Sequence, residues 1–187
     1  MAGADPSFSE THVVRTLFIL DGGAVGRKRL VKLLGVGEGS VRTIIKRLAG
    51  EGLIESSMLG HFLTAKGKRR VASLRRKFSA PVSVQLDIVD GVKSLVVVYG
   101  LADKLKSGVV ERDIAVKSGA AGAMIMCYSD GRLVFPSAEE ELSVFKGALD
   151  LSNLNLSEGD AVVVSFAGSY AKAEDGAVAI ALELCGN

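Results

Sequence analysis

The sequence predicts an α+β chain of two domains, a small helical one over residues 1–79 and a two-layer α/β sandwich with an antiparallel sheet over residues 80–187. Three observations predict it. Apolar residues recur every three or four positions through the first stretch, and mostly every second position early in the next. Ser79-Ala80-Pro81 interrupts the helical spacing, since a proline disfavours helix at the residue before it. Charge divides at the same place: residues 1–79 hold 15 Lys and Arg against 6 Asp and Glu, and residues 80–187 hold 8 against 15. The formal net charge of +2 hides this opposition. A basic half is drawn to phosphate backbones and an acidic half is repelled, so nucleic acid is the expected partner of one half only.

Composition excludes several classes. Cys127 and Cys185 stand apart, without the pairing or spacing of a disulfide framework or a zinc site. The longest apolar runs, Ser94 to Tyr99 and Ala161 to Ala167, fall far short of the roughly 20 residues of a spanning helix. No secretory signal opens the chain, so a soluble cytoplasmic protein with no bound cofactor or metal is expected.

Within the first half, Val13, Val14, Leu17, Phe18 and Leu20 make one apolar stripe on a helix that Asp21-Gly22-Gly23 ends. Leu30, Val31, Leu33 and Leu34 repeat the pattern from Arg27, and Gly35-Val36-Gly37 is a tight turn. A third helix follows from Glu38 to Gly50, with Val41, Ile44, Ile45 and Leu48 inward. Two such helices across a short glycine turn form a helix-turn-helix. At about 100° per residue, Gly39, Thr43 and Lys46 centre the opposite face of the third helix, flanked by Ser40, Arg42 and Arg47. Arg and Lys donate to guanine edges or phosphate, and Ser or Thr reach either, so this face fits a major groove.

Leu53 to Ser56 and His61 to Thr64 read as an antiparallel hairpin across the turn Ser57 to Gly60, a wing that carries His61. Ala65 to Phe78 reads as a fourth helix, inward through Val71, Leu74 and Phe78. Its Arg69, Arg70, Arg75, Arg76 and Lys77 either neutralise phosphate or face the acidic half. His12 falls at a helix start with no special role expected.

Three segments together carry a family resemblance: Leu34-Gly35-Val36-Gly37-Glu38-Gly39-Ser40-Val41-Arg42, Leu48-Ala49-Gly50-Glu51-Gly52-Leu53-Ile54 and Phe62-Leu63-Thr64-Ala65-Lys66-Gly67. In order and spacing they resemble the winged-helix regulators of bacteria and archaea, over residues 10–78. Gly37 and Gly39 depart from that pattern, standing where many members have Ser or Thr, and supply no side-chain oxygen for a cap or a phosphate. The resemblance implies a DNA-binding transcription regulator.

After Pro81, Val82 to Val89 alternates as a strand, Asp90-Gly91 signals a hairpin, and Ser94 to Tyr99 is a second strand. Val109 to Lys117 is a short helix; Ala123 to Tyr128 and Arg132 to Phe135 form another hairpin. Ser137-Ala138-Glu139-Glu140 is a capping box opening a helix to Leu149. Asp160 to Ala167 is a strand, and Ala171 to Leu184 is a helix unless the alternation around Ile180 makes it a strand. The whole chain is similar to archaeal proteins that pair a winged helix with a C-terminal domain of unknown function, and the element order of that domain is similar to small α/β domains of the GAD type.

The backbone N–H groups of Gly168, Ser169 and Tyr170, between a strand and the last helix, either receive an anionic ligand or form a plain turn. The second half contains no histidine, and no nucleophile-base-acid set, phosphate-loop lysine or metal cluster is evident. The expected function is therefore regulation rather than catalysis. Duplex DNA is the partner, a homodimer the working form, and a small-molecule effector a further partner. The competing expectation is an enzyme of small-molecule metabolism with a winged-helix appendage.

Overall fold

The structure, a computed structural model, describes residues 8–87, 89–136 and 154–186 and divides into two units between Arg75 and Arg76. In the first unit, helices α1 (Glu10–Asp21), α2 (Arg27–Leu34) and α3 (Glu38–Gly50) pack together, followed by a hairpin of β1 (Ile54–Ser57) and β2 (Gly60–Leu63) and then α4 (Ala65–Arg75). The stripes expected from the spacing are the core: Val13, Val14 and Leu17 of α1, Leu30 and Leu34 of α2, and Val41, Ile44 and Leu48 of α3 are all buried. At about 1.5–3 kcal/mol for each buried aliphatic side chain, the three from α3 hold its orientation by several kcal/mol.

Local chemistry explains each boundary. Gly35 ends α2 in the left-handed region, φ 69°, where its N–H donates to the Val31 carbonyl. Val25, between α1 and α2, exchanges backbone hydrogen bonds with His61 and adds one bridge to the wing. Thr64 caps α4: its Oγ1 accepts the Gly67 N–H at 3.0 Å while donating to the Gly52 carbonyl at 2.7 Å. His12 does have a role at its helix start, its Nδ1 accepting the Ser9 N–H at 3.0 Å.

Arg15, only 1 % exposed within the α1 stripe, donates to the Leu33 carbonyl at 2.8 Å. Its cation thereby meets the negative end of α2 and ties α1 to the turn before α3. A charge within an apolar stripe is the sequence signal for it.

The second unit has one five-stranded antiparallel sheet in the order β3-β4-β7-β5-β6, from β3 (Val82–Val84), β4 (Val92–Val98), β5 (Gly122–Ser129), β6 (Arg132–Val134) and β7 (Ala161–Ala167). Helices α5 (Val109–Lys117) and α6 (Tyr170–Leu184) lie on one face, α6 over β4 and β7 and α5 over β5. The α+β class is as expected. The opposite face is apolar too: Leu95, Val97, Met126, Val162 and Val164 are buried there with Leu86 and Leu133, and Leu154 and Leu156 pack against them. The region 161–167 is therefore a continuous apolar run rather than an alternating one, the pattern of a strand covered on both sides.

Several expectations shift. The fourth helix ends at Arg75, and Phe78 is instead fully buried in a bridge to Val98 of the second unit's sheet. The Ser79 N–H donates to the Val97 carbonyl and its hydroxyl accepts the Val97 N–H, so Ser79 is tied to β4 rather than free in a linker, and the domain boundary moves four residues earlier. The strand expected to Val89 stops at Val84. The last segment is a helix, since Ala173, Gly176, Ala177 and Ala181 form a small-residue face that packs closely on β7. The expected capping box at Ser137 and its helix to Leu149 lie outside the described residues.

Candidate nucleic-acid interface

The surface in question is built on α3. Its buried stripe forces the intervening positions outward: Arg42, Thr43 and Lys46 are exposed, and Ser40 is half-buried in the first turn. Arg42 reaches Glu38 only at 4.0 Å and keeps 70 % of its side chain exposed. Thr43 donates through Oγ1 to the Gly39 carbonyl one turn back, at 3.1 Å, which leaves its oxygen free to accept. Lys46 forms no ion pair among the described residues. These four positions come together on one helix.

Arg47 does not join them. Its Nη1 lies 2.8 Å from Glu10 and its Nε 3.0 Å from Glu51, so the guanidinium clamps α3 to α1. Its hydrogen bonds to both carboxylates, Glu10 first and then Glu51, raise its pKa further and hold its charge against α1. It also lines a cleft of about 340 Å³ with Val13, Leu17, Lys66 and Arg70, away from the exposed face. A side chain one position from Lys46 turns to a different neighbourhood because successive helix residues point about 100° apart.

His61 lies on β2, half-buried, with Nδ1 2.8 Å from the Ser56 hydroxyl. Burial first, and then the nearby charge of Arg27, lower its pKa below the ordinary 6.5, so it is a neutral wing residue at neutral pH. The wing tip, Met58 and Leu59, is fully exposed and apolar. Between Ile54 and Leu63 no Lys or Arg occurs, so positive charge at this surface comes from the helices.

Part of that charge lies at the start of α2, outside the residues that the sequence singles out. Arg27, Lys28 and Arg29 open α2 with no acidic residue in its first turn, although cations are unfavourable at the positive end of a helix. Glu38 at 2.9 Å answers Arg27, while Lys28 and Arg29 remain exposed and unpaired among the described residues. Three consecutive cations at a helix start were the available signal.

Gly168, Ser169 and Tyr170 lie in the other unit, all exposed at the start of α6. Ser169 is the N-cap without a side-chain cap hydrogen bond, and the Tyr170 hydroxyl is 3.2 Å from that of Ser83. Cys127 and Cys185 are separate thiols whose pKa values burial raises. No group of His, Cys, Asp and Glu with the geometry of a metal site occurs among the described residues, and none of their helices is long and apolar enough to cross a membrane.

A family model described as a domain of unknown function, DUF4443, matches residues 89–184, and a model described as the PH0730-like N-terminal domain matches residues 11–69. The chain belongs to the DUF4443 family. The two matches fall on the two structural units, so this DUF4443 protein joins the family domain to a helical N-terminal one. It is similar in fold to a solved structure, the hypothetical protein PH0730 from Pyrococcus horikoshii OT3, with a TM-score of 0.86 and 33% sequence identity over 96% of this chain and 94% of that one. No curated protein matches the DUF4443 chain.

Proposed function

We propose that this protein is a cytoplasmic transcription regulator that binds duplex DNA, with α3 in the major groove and α2 crossing the phosphate backbone. It acts by binding rather than by catalysis. The observation that carries the reading is the outward face of α3: Arg42, Thr43 and Lys46 are exposed on a helix whose other face is fully buried, so its donors are rigidly presented. Lys28 and Arg29 at the start of α2 extend the positive surface, and the same half of the chain carries the excess of Lys and Arg.

A single winged helix contacts limited DNA, and two half-sites multiply both affinity and specificity, so the working form is a homodimer. The acidic second domain, repelled by phosphate, is free to hold the dimer or to receive a small-molecule effector. Footprinting on fragments of the source genome tests the reading. Protected sites with paired half-sites about one helical turn apart, upstream of genes, are expected. Absence of any bound fragment at low salt would overturn it.

A further inference from the structure

The second unit holds a cavity of about 210 Å³ lined by Lys104, Lys106, Glu111 and Glu183. Val110, Ile114 and Leu184 supply its apolar wall. It lies where the first turn of α5 meets the last turn of α6, so a positive and a negative helix end open on one space. Glu111 is 3 % exposed. One of its oxygens, Oε1, accepts the Lys106 N–H at 3.0 Å, and the other, Oε2, is buried with no hydrogen-bond partner among the described residues.

A buried carboxylate oxygen without a donor is unfavourable, and native structures leave few of them. The lysines do not relieve it: neither Lys104 nor Lys106 forms an ion pair among the described residues, and both are exposed. Glu111 thus brings a buried, unfilled acceptor to the wall of a cavity that two unpaired cations also line. At about 210 Å³ it is smaller than the clefts of about 300–1,000 Å³ that hold drug-sized molecules.

We propose that this cavity binds a small aliphatic α-amino acid, its ammonium group donating to Glu111 Oε2 and its carboxylate held by Lys104 and Lys106. Two acidic and two basic side chains match a zwitterion, which a purely anionic or purely cationic ligand would not satisfy. Val110, Ile114 and Leu184 receive the aliphatic side chain. Only the consequence for transcription rests on the regulator reading; the site itself does not.

Calorimetric titration of the full chain without DNA tests it, with L-valine and L-leucine as probes and isovalerate and isobutylamine as half-ligands. The amino acids are expected to bind, with each half-ligand at least about tenfold weaker. Glu111→Gln should weaken valine by at least about tenfold and leave isovalerate unchanged, whereas Lys104→Met with Lys106→Met should weaken both. The lysine pair is exposed, so that variant stays informative even if the Glu111 variant fails to fold. Absence of binding by both amino acids at millimolar concentration, isovalerate binding as tightly as valine, or full valine affinity in either variant would overturn the site. Failure to bind DNA in the same preparation would count against the regulator reading alone.

Discussion

Gly67→Ala in the first turn of α4 should destabilise the first domain, against the usual sign of that substitution in a helix. A glycine-to-alanine change in a helix interior ordinarily gains about 0.5–1 kcal/mol. At position 67 an added Cβ would lie 2.0 Å from the backbone oxygen of Leu53 and 3.1 Å from Leu63 Cδ2. The Leu53 carbonyl cannot retreat cheaply, because it also accepts the Thr64 N–H at 3.0 Å. Overpacking costs about 1–3 kcal/mol, and losing that hydrogen bond adds about 0.5–1.5 kcal/mol. After the propensity gain, a net loss of about 0.5–4 kcal/mol remains. Denaturant unfolding followed by circular dichroism reads it as a lower midpoint for the first domain. Gly39→Ala on α3, where an added Cβ meets nothing within 4 Å, is the control and should be neutral or stabilising. A Gly67 variant as stable as the Gly39 one would refute the close approach of α4 to the wing.

Three further outcomes are expected. Arg47→Ala should cost about 0.2–1 kcal/mol per half-exposed ion pair in melting experiments and leave DNA affinity nearly unchanged, while its neighbour Lys46→Ala should do the reverse. In an NMR titration the His61 ring should titrate below 6.5; because its folded-state pKa is lowered, the stability it contributes is present above 6.5 and lost as pH falls below it, and His61→Gln should remove that component. Gly176→Ala should lower the melting temperature of the second domain by several degrees, since its Cβ would sit 2.3 Å from Ser165 Oγ and 2.8 Å from Ala120 Cβ.

The first domain was largely legible because its signals are local. A three-and-four spacing bounded by glycines gave α3 its ends at Glu38 and Gly50, and the same spacing implied which way Thr43 and Lys46 face. Periodicity cannot say which core an apolar residue serves, however. Phe78 sits at a helical spacing from Val71 and Leu74 yet packs into the neighbouring sheet, which drew the boundary too late. Arg47 also shows the limit of a helical wheel: its angle is compatible with the exposed face, but Glu10, 37 residues away, supplies the competing partner.

The second domain was legible as elements and not as an arrangement. Its strands are legible to within two residues apart from β3, but that β7 enters between β4 and β5 depends on long-range pairing that no local signal encodes. The cavity beside Glu111 was invisible for the same reason, since Glu183 and Lys104 meet there from distant parts of the second unit's sequence.

The central claim is that the exposed cations of α3 meet DNA, and the salt dependence of binding tests it most directly. For duplex DNA the slope of log affinity against log salt changes by about 0.9 for each phosphate contact. Arg42→Ala with Lys46→Ala should therefore bind more weakly and flatten the slope by up to about 1.8 if both cations meet phosphate, or by about 0.9 if one reads a base edge instead. Wild-type affinity with a wild-type slope in that variant would contradict the account.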